Sequence, residues 1–391
     1  MYLKLLKNNV KQGILNLHLP DGSHHRFGQS GIEADWFIRN EKAIKRIARD
    51  WEFELGQTYM EGGWDTGDQD LRILLGLLRT NFSPKGVIKW YTPLVKLYQQ
   101  FNHITRSYRN IAHHYDTEET IFRMFLDKEM YYSCAYFRDQ NDSIEQAQLN
   151  KARHIASKLL LKPGMTVLDI GCGWGSLAFH LASHHDVHVT GITLSKEQLR
   201  VATDEAQARG LSDKTTFLLS DYREHQGKYD RILSVGMLEH VSVAALPVYF
   251  SRVNDMLDDK GAALIHTIGN KTVPLETNPW INRYIFPGGR IPSLSETAIG
   301  IEKSRLMLTD VEIWRMHYAW TLRAWLERFE AHKDEIVGLK DESFYRMWEF
   351  YLAVCDMSFE FANLVVFQCQ LAKQHGVVPI TRDYLYQEHS K

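Results

Sequence analysis

Residues 167 to 175 read VLDIGCGWG, an apolar run that ends at Asp169 and continues with glycine at every second position, Gly171, Gly173 and Gly175. Glycines so spaced let a backbone turn tightly and come close to a ligand. A dinucleotide site would need GxGxxG, with a third glycine for close packing of the next helix on the strand. That place holds Ser176. A strand ending in Asp169 before Cys172 and Trp174 fits instead a nucleoside without phosphates, the adenosyl and methionine parts of S-adenosylmethionine. A second group lies further on, where SVGMLEHV (234–241) carries Glu239 and His240, and LIHTIG (264–269) carries His266. A histidine inside an apolar strand is ordinarily a satisfied core residue. Beside a carboxylate from a neighbouring strand end it marks a polar pocket next to the methyl donor.

These residues need elements to hold them. Apolar runs at 165–170, 187–193, 215–219, 229–235 and 262–268 alternate with helical patterns, which predicts an α/β fold with a parallel sheet wrapped by helices. Ligands of open α/β sheets sit at the carboxyl ends of strands. After the second run stand Thr193, Leu194, Ser195 and Gln198, so neutral polar groups must meet the ribose. After the third, Asp221 and Tyr222 are placed to meet the adenine, whose amine a carboxylate can accept; for Arg223 a plain surface position is the alternative.

The chain of 391 residues is long enough for two domains. We expect a small α+β module over 1–80, a linker over 81–115 and a catalytic domain over 116–391. In the first, GILNLH (13–18) alternates like a strand, PDGS (20–23) is a turn, and a helical pattern is expected from about Ala34. From Leu71 to Tyr115 there is no Asp or Glu but seven Arg and Lys, interleaved with aromatics such as Trp90, Tyr91 and Tyr98. That stretch reads as a linker packed on the main domain or as a segment drawn to anionic headgroups. A net charge of −2 gives no global attraction to nucleic acid, and none is expected as a partner. Four widely spaced cysteines without a CxxC pair argue for a reducing compartment and no metal site. No apolar run reaches the 18 residues of a membrane span, so a cytoplasmic protein is expected.

YYSCAYF (131–137), VLDIGCGWGSLA, GITLSKEQL (191–199), SVGMLEHV, LIHTIG, PWINRYIFPGGRIPS (279–293) and the YxxTLxxW pattern from Tyr318 together resemble the cyclopropane-fatty-acyl-phospholipid synthase family, related to the mycolic acid cyclopropane synthases. HHYD at 113–116 fits the family's entry segment, and YMEGGW (59–64) resembles the N-terminal module of its longer members. The resemblance implies a class I S-adenosylmethionine-dependent methyltransferase domain, Rossmann-like, with a small lipid-binding-like N-terminal module. It implies a C-methyltransferase that builds cyclopropane rings into unsaturated phospholipid acyl chains. It further implies bicarbonate beside the alkene, held by Cys134, Glu239, His266, the Ile268 backbone and Tyr318, with Tyr132 and Ser133 at the methionine end of the donor. Cys355, in YLAVCDMSF, matches a cysteine sometimes proposed as active in the family. A helical core thiol is the alternative, since methyl transfer to an alkene needs no covalent enzyme intermediate. Peripheral contact with a phospholipid bilayer and a homodimer follow as expectations, the dimer raising avidity by engaging one membrane patch twice.

Overall fold

A computed structural model describes residues 2–82, 119–272 and 277–387. Apart from Asn81 and Phe82 the expected linker, and with it HHYD, lies outside the described residues. The chain divides into two compact units.

One unit gathers the described parts of Met1–Ile88, Glu276–Pro287 and Tyr318–Leu364. Its sheet has the order β2-β1-β3-β4, built from β1 (Ile14–His18), β2 (His24–Gly28), β3 (Glu33–Ile38) and β4 (Trp64–Asp65). β1 and β2 pair antiparallel around the PDGS turn. β3 stands where a helix was expected, because Ala34, Trp36 and Ile38 are buried with period two and make an inward strand face. Helices Glu41–Ile47 and Leu71–Asn81 start where the side chains of Asn40 and Asp70 accept the N–H of the second residue onward. On the helix Trp51–Met60, Gly56 leaves room for two rings: a Cβ there would lie 2.8 Å from Trp280 and Phe350. Asp356, on the helix Glu342–Phe361, is enclosed and receives Arg323 at 2.9 Å and Arg72 at 3.7 Å.

The other unit gathers the described parts of Lys89–Leu275, Gly288–His317 and Val365–Lys391. The expected catalytic span of 116–391 is thus shared, with 276–287 and 318–364 clustering with the N-terminal residues. The sheet here contains β5 (Thr166–Ile170), β6 (His188–Thr193), β7 (Thr215–Leu219), β8 (Tyr229–Val235) and β9 (Leu257–Asn270), paired in parallel. β10 (Met307–Trp314) and β11 (Leu364–Ala372), antiparallel to each other, complete the order β10-β11-β9-β8-β5-β6-β7. Alternate residues feed two cores on opposite faces. Leu168, Ile232 and Ile265 belong to one, Val167, Leu233 and Leu264 to the other. The helix Ile144–Leu159 covers the second face through Ala152, Ile155 and Leu159 and begins at Ser143, whose hydroxyl accepts from the N–H of Gln146.

Candidate active site

Strand order reverses between β5 and β8, which opens a crevice beyond their carboxyl ends. The glycine turn lies there, its Gly171 and Cys172 N–H groups donating to the Ile192 carbonyl at 2.9 and 3.1 Å. Gly171, Gly173 and Gly175 all have positive φ, which favours glycine. A Cβ on Gly173 would meet nothing within 4 Å, whereas one on Gly175 would strike Phe179 and Phe217. Gly173 therefore keeps a cavity open, and Gly175 serves packing at the start of the helix Ser176–His185.

That cavity is lined by Tyr132, Ser133, Asp169, Gly171, Cys172, Gly173 and Trp174 on one side, and by Thr193, Leu194, Gln198, Asp221 and Tyr222 on the other. Gly175 and Ser195 do not line it. Ser195 instead caps the helix Lys196–Ala208, its hydroxyl accepting from Gln198 N at 3.2 Å. Thr193 Oγ1 donates to Gln198 Oε1 at 2.8 Å, which turns the amide so that its NH2 is the group left for a ribose oxygen. Asp221 is buried and clamped by Arg223, whose Nε and Nη2 donate at 2.8 and 2.6 Å. Arg223 thus lines the cavity. Burial alone pushes the Asp169 carboxyl up to about 7, so a cationic ligand beside it would be welcome. Lys151 and Met237 also line the cavity and were not singled out for it, and His240, named with Glu239 for the neighbouring pocket, lines it too. For Lys151 a signal existed: helical spacing puts it on the same buried face as Gln148, Ala152 and Ile155.

Cys134, Glu239, His266, Ile268, Tyr318 and Cys355 do not line that cavity. Parallel pairing of β8 with β9 sets the turn Leu238–His240 beside the end of β9. There the Ile268 N–H donates to Glu239 Oε1 at 2.6 Å, so Ile268 acts by fixing this carboxylate. Glu239 Oε2 is buried without a hydrogen-bond partner among the described residues. Burial, opposed by the Ile268 N–H, pushes the Glu239 carboxyl up to about 7. His266 is buried, which holds its pKa well below the usual histidine value and keeps it neutral. Its Nδ1 faces Gln368 Nε2 at 3.0 Å. Since Gln368 Oε1 accepts from Lys158 Nζ at 2.9 Å, the amide must donate to Nδ1, and the imidazole proton sits on Nε2. Lys158 is held in turn by Glu312, which also meets His154 at 2.7 Å. Burial would raise the Glu312 carboxyl, but these two partners outweigh it and hold it at about 2.

Cys134 is buried with its thiol turned to the Ala135 carbonyl at 3.4 Å. Tyr318 and Cys355 belong to the other unit, where Tyr318 packs on Phe359 with ring centres 4.7 Å apart. Burial, with Asp356 adjacent, pushes the Cys355 thiol up to about 12, far from the thiolate a nucleophile needs. Cys355→Ser is expected to keep kcat within about twofold in a product assay, and a loss of several orders would restore a chemical role.

A seven-stranded sheet in this order, with a glycine turn and a crevice at its switch point, defines a class I S-adenosylmethionine-dependent methyltransferase. The family model described as Mycolic acid cyclopropane synthetase matches residues 102–369, and the chain belongs to that family. It is 38% identical over 338 residues to the cyclopropane-fatty-acyl-phospholipid synthase of Escherichia coli, covering 86% of this chain and 87% of that one. It is 32% identical to the tuberculostearic acid methyltransferase UfaA1 of Mycobacterium tuberculosis, over 95% of this chain and 90% of the relative. Among solved structures it resembles the cyclopropane synthase MmaA2 of M. tuberculosis, with a TM-score of 0.66 and 33% identity, over 70% of this chain and 100% of that one.

Proposed function

We propose that the chain transfers a methylene group from S-adenosylmethionine to the cis double bond of unsaturated acyl chains in membrane phospholipids, closing a cyclopropane ring, with bound bicarbonate as general base. The observation that carries this reading is the Glu239 carboxylate, fixed through one oxygen and buried without a partner at the other, in the turn after β8 that lies beside the end of β9, the strand that carries His266. Likeness to the E. coli synthase over most of both chains supports it.

In the reaction the π electrons of the alkene attack the sulfonium methyl, and the carbon–sulfur pair leaves with S-adenosylhomocysteine. The adjacent carbon becomes cationic, and loss of one methyl proton lets that C–H pair close the ring. When bound, bicarbonate supplies a basic oxygen and a compensating negative charge there. The residues suit such an anion. Glu239, titrating near neutrality, can donate a proton through Oε2, and His266 offers its Nε2–H. Cys134 would complete the cradle, as the family resemblance implies. Among the described residues no helix is long and apolar enough to cross a membrane, and peripheral contact with the cytoplasmic bilayer surface, as a homodimer, is part of the proposal.

The test is mass spectrometry of acyl chains after incubating the protein with S-adenosylmethionine, bicarbonate and vesicles of cis-unsaturated phospholipid. A gain of one CH2 that resists hydrogenation is expected. A second reading is a branched or exomethylene product, in which the cation resolves without ring closure, and the likeness to a protein named a tuberculostearic acid methyltransferase rather than a cyclopropane synthase supports it. A gain that ends as a branched saturated chain would select it.

A further inference from the structure

The reaction as drawn leaves one charged side chain of the cofactor cavity without a task. Lys151 lines that cavity from the helix Ile144–Leu159 and is 1% exposed. Its ammonium donates to Ser133 Oγ at 2.8 Å and lies 4.0 Å above the centre of the Tyr131 ring. Asp127 offers opposite charge, yet its oxygens accept from the N–H groups of Glu129 and Tyr131 at 3.0 Å, and no ion pair joins it to Lys151 among the described residues. Burial pulls the Lys151 pKa down to about 7 even against the attraction of Asp127, so its charge is costly there, and an anion in the cavity would stabilise the ammonium.

The serine hydroxyl settles where the anion would bind. A hydroxyl has one proton and two lone pairs. Lys151 occupies a lone pair, so the Ser133 proton is free to be given to an acceptor in the cavity. The Ser133 carbonyl accepts from Gln148 Nε2 at 3.0 Å, which holds this loop residue in place. S-adenosylmethionine carries two cations, the sulfonium and the α-ammonium, which a lysine repels, and one anion, its α-carboxylate, which a hydroxyl backed by an ammonium attracts. Asp169, lining the same cavity, supplies the opposite sign for the cationic groups.

We propose that Lys151 is a positioning residue that acts through Ser133 to recognise the α-carboxylate of the methyl donor. This deepens the reading of the cavity as the S-adenosylmethionine site and rests on it. The carboxylate is remote from the bond that breaks, so the contact sets the depth at which the sulfonium sits rather than the chemistry.

Calorimetric binding to the full chain without lipid tests it, with S-adenosylmethionine and decarboxylated S-adenosylmethionine as probes. The second keeps sulfonium and amine but lacks the carboxylate. Wild type is expected to prefer the first. Lys151→Met should weaken the first by about tenfold or more and leave the second unchanged. Ser133→Ala, which removes one exposed-side oxygen and leaves the helix intact, should repeat that selective loss. Equal weakening of both probes, or no weakening of either, overturns the proposal. A wild type that binds neither probe removes the underlying cofactor reading, which is a separate failure.

Discussion

Glu239→Ala lowers product formation by about 10²- to 10³-fold, while affinity for S-adenosylhomocysteine changes by less than about twofold. The separation of the two effects is expected because Glu239 is held at Ile268 and does not line the cofactor cavity. Steady-state rates with bicarbonate titrated, set beside equilibrium binding, would check it; a variant of ordinary rate would remove Glu239 from the chemistry. Glu239→Gln refines the point. In the wild type the carboxyl titrates at about 7, so above that pH it becomes an anion facing an anion, and the apparent bicarbonate KM should rise. A glutamine cannot ionise and should flatten that rise. The same shift has a stability cost of known sign. The folded pKa lies above the unfolded value of 4.5, so Glu239 favours the fold below that value, and the contribution is lost as pH rises through about 7.

Gly269→Ala is expected to destabilise the protein by about 3 kcal/mol. A Cβ at Gly269 would fall 2.0 Å from the Phe367 ring, and Phe367 is 1% exposed in the core between β9 and β11. The ring has no free volume to retreat into, so either β11 shifts or the ring leaves its rotamer. Urea unfolding followed by fluorescence measures the loss, and an unchanged midpoint would show the packing to be looser than it looks. Phe367→Leu in the same chain should recover part of it, because the two residues contend for one space and their effects cannot add.

The parallel half of the sheet was legible because its strands are short apolar runs between helical patterns, and the glycine turn marked where a ligand would sit. β3 was missed although Ala34, Trp36 and Ile38 alternate, since a helical pattern begins only a few residues later and masked the period. β10 and β11 fell outside the apolar runs read as strands. β11 is buried at eight successive positions and so has no polar face to betray its period. Gln368 and Gln370 were the clue, two amides inside LVVFQCQLA with nothing local to bond. Their partners, His266 and the Lys158 carbonyl, lie 102 and 212 residues away, a pairing that no local pattern can announce. The task of Lys151 was hidden for a like reason, since only the fold brings Ser133 to it.

The place of β11 has a consequence for how the protein is born. Among the described residues it is the last strand in sequence order, yet it is inserted between β9 and β10 rather than added at an edge. While the ribosome still holds residues beyond 364, β9 and β10 have no common neighbour, Gln368 has not reached His266, and Lys158 lacks its amide partner. Closing contacts of such long sequence separation is slow, and a chain waiting for them leaves strand edges open. The orientation of His266 therefore arrives late in synthesis, and a nascent chain stopped short of β11 would hold the glycine turn but not an oriented imidazole.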